Sequence, residues 1–226
     1  MRAHQEPSGT PMAADLRARI LAEVARTPAP TRDAHHRRVL LIAGIGAVAT
    51  TSLFFAMGGF AKGTRPMELV AFTAGFGLLA ALVLTRLSSG VSGSMLGRPR
   101  HVLLLICVIA APVLALVALA AATFWPEHAI EDVVSTKSHL ACGAMTLVQG
   151  ALPLLVLLLP RRGSDPVHPA ITGAALGMTA GAWTAMMAYM RCPHSAAFHC
   201  IAAHVLPTLV LTIAGALLGR ALLKIR

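Results

Sequence analysis

The chain has 226 residues, of which 56% are hydrophobic and 12% are charged, and it carries a formal net charge of +10. A water-soluble domain is about one-quarter charged, so this composition excludes a soluble enzyme or soluble binding module as the whole chain. The positive balance could suggest nucleic acid, but the basic residues are placed along the chain as a membrane protein places them, and no direct nucleic-acid contact is expected.

Residues 1–38 are the only sizeable polar segment. Glu6, Asp15, Glu23 and Asp33 interrupt them and they contain no apolar core, so the segment is expected to be retained and not cleaved as a leader. Within it Leu16, Ile20, Leu21 and Val24 form one stripe at helical spacing, with Asp15, Arg17, Arg19, Glu23 and Arg26 on the remaining faces. Thr27-Pro-Ala-Pro-Thr31 ends this helix, because proline disfavours helix in the residue before it, and forms a short extended linker ahead of Arg37 and Arg38. A helix of about four turns is marginal alone in water, so its apolar stripe needs a surface to cover. Lipid headgroups, the loops of its own bundle and the groove of a partner protein all qualify.

Six apolar runs follow: Val39–Phe60, Pro66–Leu84, Val102–Phe124, His139–Leu159, Pro169–Met190 and Cys200–Leu223. Runs of about 20 apolar residues are the mark of membrane-spanning helices. The expected fold class is therefore all-α, a polytopic bundle of six transmembrane helices over residues 39–226. Of the 19 Lys and Arg residues, all but Lys62, Arg65, Lys137 and Arg191 lie before the first run, in the even-numbered loops or at the C-terminal end. Positive residues gather on the cytoplasmic side, which puts both termini there in a multi-pass arrangement.

The runs hold little polar machinery: Glu68 near an end, Gln149 and His204 inside. That is a poor proton relay. Gly173, Gly177 and Gly181 recur every four residues in the fifth run, and Gly215 and Gly219 repeat the spacing in the sixth. Such residues let helices approach closely, either as a hairpin within one chain or in a homo-oligomer. Pro112, Pro153 and Pro207 free carbonyls that neighbouring helices or water must satisfy. No phosphate-binding glycine loop, nucleophile–base pair or paired-carboxylate site can be placed, so an enzyme is not expected. No inverted repeat of the kind common in secondary transporters is visible.

The chemically capable residues gather near Cys192, His194, His199, Cys200 and His204, with His139 and Cys142 at the start of the fourth run. The topology puts these at the outer end, with Cys192, His194 and His199 in a loop. Cys107 falls at the other end as a small hydrophobe. Three readings stay open. Cys200 and His204, at i and i+4, could join Cys192, Cys142 or His139 in holding a soft metal ion, although no known zinc spacing occurs. Cys192 could form a disulfide with Cys142 or Cys200 if the Cα atoms come within about 7 Å. The thiols could also stay reduced and fill the end of the bundle. Haem b would need histidines facing each other from different spans, and only His139 and His204 come near that requirement.

Several features together resemble the NrsF family, the negative regulators of sigma F. They are the Leu16-Arg-Ala-Arg-Ile20 start, the Pro-broken linker, six spans with both ends inside and Cys142 in the fourth span. The Arg191-Cys192-Pro193 turn, His204-Val-Leu-Pro207 and Gly215-Ala-Leu-Leu-Gly219 complete the likeness, which covers nearly the whole chain. The resemblance implies a membrane-embedded anti-sigma factor that holds an extracytoplasmic-function sigma factor and releases it on envelope stress. It implies sigma binding through Leu16, Ile20, Leu21 and Val24, and redox or metal sensing through Cys142, Cys192, Cys200, His194, His199 and His204. Cys142 and Cys192 match the family's cysteine pair by position; Cys200 and the extra histidines go beyond it. The His-x3-Cys-x2-Cys zinc motif of soluble anti-sigma domains is absent. The alternative from another class is a small membrane transporter or metal-handling protein built on the same cluster.

Overall fold

The computed structural model describes residues 15, 18–19, 22, 32–60, 65–88, 98–129, 134–162 and 167–224, and among these there is no strand. Six long helices follow one another: α1 (Arg32–Ala56), α2 (Met67–Ser88), α3 (Arg100–Phe124), α4 (Thr136–Leu158), α5 (Pro169–Arg191) and α6 (Ala197–Leu222). Chain contacts divide the molecule into two compact units, Met1–Leu40 and Leu41–Arg226. In the first, Asp15, Ala18, Arg19 and Ala22 are helical, and Arg19 pairs with Asp15 at 3.1 Å across one exposed turn. Leu16, Ile20, Leu21 and Val24 lie outside the described residues.

Helices α2, α3, α4 (continued to Arg161) and α6 are long and apolar enough to cross a membrane; α1 adds the shorter apolar stretch Leu40–Ala56. Large apolar side chains such as Val48, Leu82, Val108, Leu116, Ile213 and Leu217 point outward. A soluble fold would bury such residues; facing lipid, they need no cover. The fifth helix is built differently. It packs against α2, α3, α4 and α6, and most of its length is buried. Because protein and not lipid surrounds it, it can be made of Gly, Ala, Thr and Met instead of leucine, which is why it does not stand out by hydropathy.

Glycine explains how α5 and α6 meet. A Cβ on Gly173 would lie 2.8 Å from the Gly219 Cα and against the Gly215 carbonyl, and one on Gly177 would lie 2.8 Å from the Thr212 Cα. The two backbones touch directly, and dispersion between them takes the place of the hydrophobic drive that lipid cannot supply. The glycine stripes are thus filled within one chain as a hairpin, and they leave no open groove for a second copy.

The ends of the bundle are fixed by polar ties. At one end Arg161 donates to the Ser88 carbonyl at 2.7 Å and Arg98 donates to the Arg86 carbonyl at 3.2 Å, satisfying the exposed C-terminus of α2. At the other end Arg65 donates to the Tyr189 carbonyl near the end of α5, and Phe72 packs on Phe124 and Trp125. Ser135 caps α4, accepting from the Ser138 N–H at 3.2 Å. The C-terminus of α5 and the N-termini of α4 and α6 therefore meet at this second end.

The sixth helix is not uniform. Residues Ile201–Val205 form a π turn, closed by the Leu206 N–H on the Ile201 carbonyl. Pro207 has no N–H to offer the Ala203 carbonyl four residues back. Thr146 of α4 fills the gap, its hydroxyl lying 3.0 Å from that carbonyl. Such π turns are frequent at functional sites, and this one underlies the cysteine–histidine cluster.

Candidate functional site

The cluster forms where the first turns of α4 and α6 meet the end of α5. Cys142 comes from α4, Cys192 follows the last residue of α5, and His199 sits in the first turn of α6. The Cys142 and Cys192 sulfurs are 4.0 Å apart. Cys192 Sγ is 3.1 Å from His199 Nε2, and His199 Nδ1 is 3.0 Å from His139 Nδ1. A continuous chain of polar contacts thus runs from Cys142 through Cys192 and His199 to His139. His199 and Cys192 are buried, whereas Cys142 and His139 are half-buried.

This geometry corrects the placement of His199 in a loop. It lies in a helix and is 0% exposed, with the His139, His194 and His204 rings 4.8, 5.2 and 5.2 Å from its own. The pairing of Cys200 with His204 also differs from a simple i, i+4 face, because the π turn inserted between them changes their angular relation. Cys200 packs into the apolar core and directs its thiol to the His194 carbonyl at 3.9 Å. His204 is buried, with Nδ1 3.3 Å from the Thr146 hydroxyl. His194 stays half-buried in the connecting loop. Cys107 is half-buried against the same apolar core.

All four cysteines are free thiols. A disulfide sulfur pair sits at about 2.05 Å; the Cys142 and Cys192 sulfurs, 4.0 Å apart, are in contact with no bond between them. The Cys192 thiol is pushed above the ordinary thiol range, first by its hydrogen bond to Cys142 and then by burial. Burial, followed by the neighbouring His199, pulls His194 below its usual value. Cys142, Cys192 and His199 bring one ligand atom each to within 4.8 Å of one another. Two thiolates and an imidazole are a donor set for a soft or borderline cation. Cys200 and His204 are outside that group.

Three residues that spacing did not single out complete the site. The Thr146 hydroxyl reaches the Cys142 carbonyl at 2.8 Å as well as Ala203 and His204, so it ties the sulfur-bearing turn of α4 to the π turn of α6. Its position four residues after Cys142 was the available signal. Arg191 donates to the Met145 sulfur at 2.9 Å, and among the described residues no carboxylate pairs with it. Both border a cleft of about 380 Å³ that also takes in Cys142 and Cys192.

The model of the NrsF family, described as negative regulator of sigma F, matches residues 24–224. No curated protein and no solved structure matches the chain. With nearly its whole length covered, the chain belongs to the NrsF family and is a member of a family of negative regulators of sigma F.

Proposed function

We propose that this NrsF-family chain is an anti-sigma factor embedded in the bacterial inner membrane by six spans, with both termini cytoplasmic. Its N-terminal segment, residues 1–38, holds an extracytoplasmic-function sigma factor through the stripe Leu16, Ile20, Leu21 and Val24. The cysteine–histidine cluster receives a redox or metal signal. Arg86, Arg98, Arg100, Arg161, Arg162, Arg220 and Lys224 lie on the segments at the opposite end from that cluster. This charge separation supports a cytoplasmic basic end and an outward sulfur end.

The observation that carries the sensing half is the reduced Cys142–Cys192 pair, 4.0 Å apart and backed by His199. Two thiols held this close change state together, by a disulfide or by a shared metal ion. Either change draws α4 toward the end of α5, so the cluster has two packings that a signal can select between. The family supplies the sigma partner, and the amphipathic segment is the polar surface that can reach it from the membrane.

Three experiments test the reading. A sigma factor should co-purify with the intact protein and be lost when residues 1–30 are removed; retention after truncation would place the binding surface elsewhere. Release of the sigma factor on stress should disappear in Cys142→Ser and Cys192→Ser. Topology is checked with Lys137→Cys in a cysteine-free background, since Lys137 is exposed while Cys192 is only 4% so. A membrane-impermeant maleimide should label it in whole cells, and labelling only after lysis would reverse the orientation.

A further inference from the structure

The cleft beside the thiols has features that disulfide exchange alone does not call for. Its volume of about 380 Å³ falls within the range of small-molecule sites, and Met57, Phe60, Ala188 and Pro193 give it apolar walls. Arg191 is also on the wall, and among the described residues it has no carboxylate partner. One guanidinium nitrogen rests on the Met145 sulfur at 2.9 Å, which fixes the group next to the sulfur pair. The two thiols are not equivalent. Both border the cleft, but Cys142 is half-buried, whereas Cys192 is 4% exposed and held between Cys142 and His199. Access selects which thiol an incoming electrophile meets first.

We propose that this cleft admits an organic hydroperoxide, that Cys142 is the attacking thiol and Cys192 the resolving one, and that Arg191 holds the peroxide group. The Cys142 thiolate attacks the terminal peroxide oxygen and the O–O bond breaks. The alkoxide leaves, takes up a proton and becomes an alcohol, and Cys142 becomes a sulfenic acid. The Cys192 sulfur, 4.0 Å away, then attacks the Cys142 sulfur. The S–O bond breaks and hydroxide departs as water with the Cys192 proton. Two thiols and one hydroperoxide give one disulfide, one alcohol and one water; the thiols lose two electrons and the peroxide gains them. The apolar walls cover the organic part, and the guanidinium stabilises the charge that develops on the leaving oxygen. This assignment rests on the thiol pair being the signal-receiving site, and it adds the class of oxidant and the order of reaction.

The test uses the full-length reduced protein in lipid nanodiscs. Cumene hydroperoxide, hydrogen peroxide and diamide are compared, the last because it oxidises thiol pairs without a peroxide group. In Cys192→Ser, a dimedone adduct should form on Cys142 after cumene hydroperoxide; in Cys142→Ser, none should form on Cys192. The wild-type disulfide should close about tenfold or more faster with cumene hydroperoxide than with hydrogen peroxide at equal concentration, since burial of the organic group favours the former. Arg191→Met should slow the hydroperoxide reaction by about tenfold or more and leave the diamide rate unchanged. A dimedone adduct on Cys192, equal rates with the two peroxides, or equal slowing of diamide by Arg191→Met would overturn the proposal while leaving the thiol pair as sensor. Failure of diamide to close the wild-type pair would overturn the redox half of the sensor reading, and this proposal with it.

Discussion

Replacing Gly177 with alanine probes the contact that fixes the frame of the site. The new Cβ would lie against the Leu211 carbonyl oxygen and 2.8 Å from the Leu211 carbonyl carbon and the Thr212 Cα, all backbone atoms of α6. Carbon atoms rest at about 3.5 Å or more, so the helices must part by at least about 0.7 Å at a point where no side chain can rotate away. Overpacking of this kind costs about 1–3 kcal/mol. Alanine also helps an exposed helix by up to about 1 kcal/mol relative to glycine, which would mask part of the loss. Gly75→Ala in α2 removes that ambiguity, because a Cβ there meets nothing within 4 Å. The difference between the two variants isolates the clash, at about 1–3 kcal/mol. For a chain of this size each kcal/mol moves the melting temperature by about 2–4 °C. Thermal unfolding in detergent, followed by helical circular dichroism, should therefore show Gly177→Ala melting about 2–12 °C below Gly75→Ala. If the two variants melt together, α5 and α6 are not in backbone contact and the rigid-hairpin argument is wrong.

Other consequences can be read by the same unfolding assay. Thr146→Val keeps the shape of the side chain but removes the hydroxyl that serves the Ala203 carbonyl; it should cost about 1–3 kcal/mol, and a neutral result would mean that water replaces the hydroxyl. Gln149 is 1% exposed and neither polar atom of its amide has a partner among the described residues, so Gln149→Leu should be neutral or stabilising by about 1 kcal/mol; a clear loss would show that the amide is satisfied by another group. Raised folded-state affinity of Cys192 for its proton means that the native state holds more protons than the unfolded one at alkaline pH. Stability should be fully present below the unfolded thiol value of about 8.5 and fall as pH rises above it, a slope that Cys192→Ser should remove if the thiol is its source.

The helices themselves were legible because their signal is local. All six apolar runs coincide with helices to within a few residues at most ends. The exceptions are instructive: α1 starts at Arg32, seven residues before its apolar run, because helix propagates into Arg37 and Arg38 without needing an apolar face. The glycine spacing indicated close helix contact and left the choice between a hairpin and a second copy open. Only the positions of Gly173 and Gly177 against Gly215 and Gly219 settle that the contact is internal. The central position of α5 was not legible either. Small and polar side chains lower its hydropathy, and nothing in a single sequence distinguishes a helix that is weakly apolar because it is surrounded from one that is weakly apolar because it is exposed.

The site divides along the same physical line. The residues left Cys142 and Cys200 both open as partners of Cys192, and only likeness to a family favoured Cys142, since 50 residues and a whole helix separate the two; the structure places their sulfurs 4.0 Å apart. His199 was misplaced in a loop because the start of α6 carries no capping signal: Ala196 is its N-cap, and no side chain bonds the first turn. The i, i+4 spacing of Cys200 and His204 misled for a related reason. Helical arithmetic assumes 3.6 residues per turn, and the π turn at Ile201–Val205 breaks that count between those two residues. The cause of the break was nevertheless written in the chain, as Pro207 must leave the Ala203 carbonyl without its helical donor. What no local rule could supply was the donor that replaces it, Thr146, from a helix 57 residues away. The same hydroxyl contacts the Cys142 carbonyl. One side chain therefore links the sulfur-bearing turn of α4 to the irregular turn of α6.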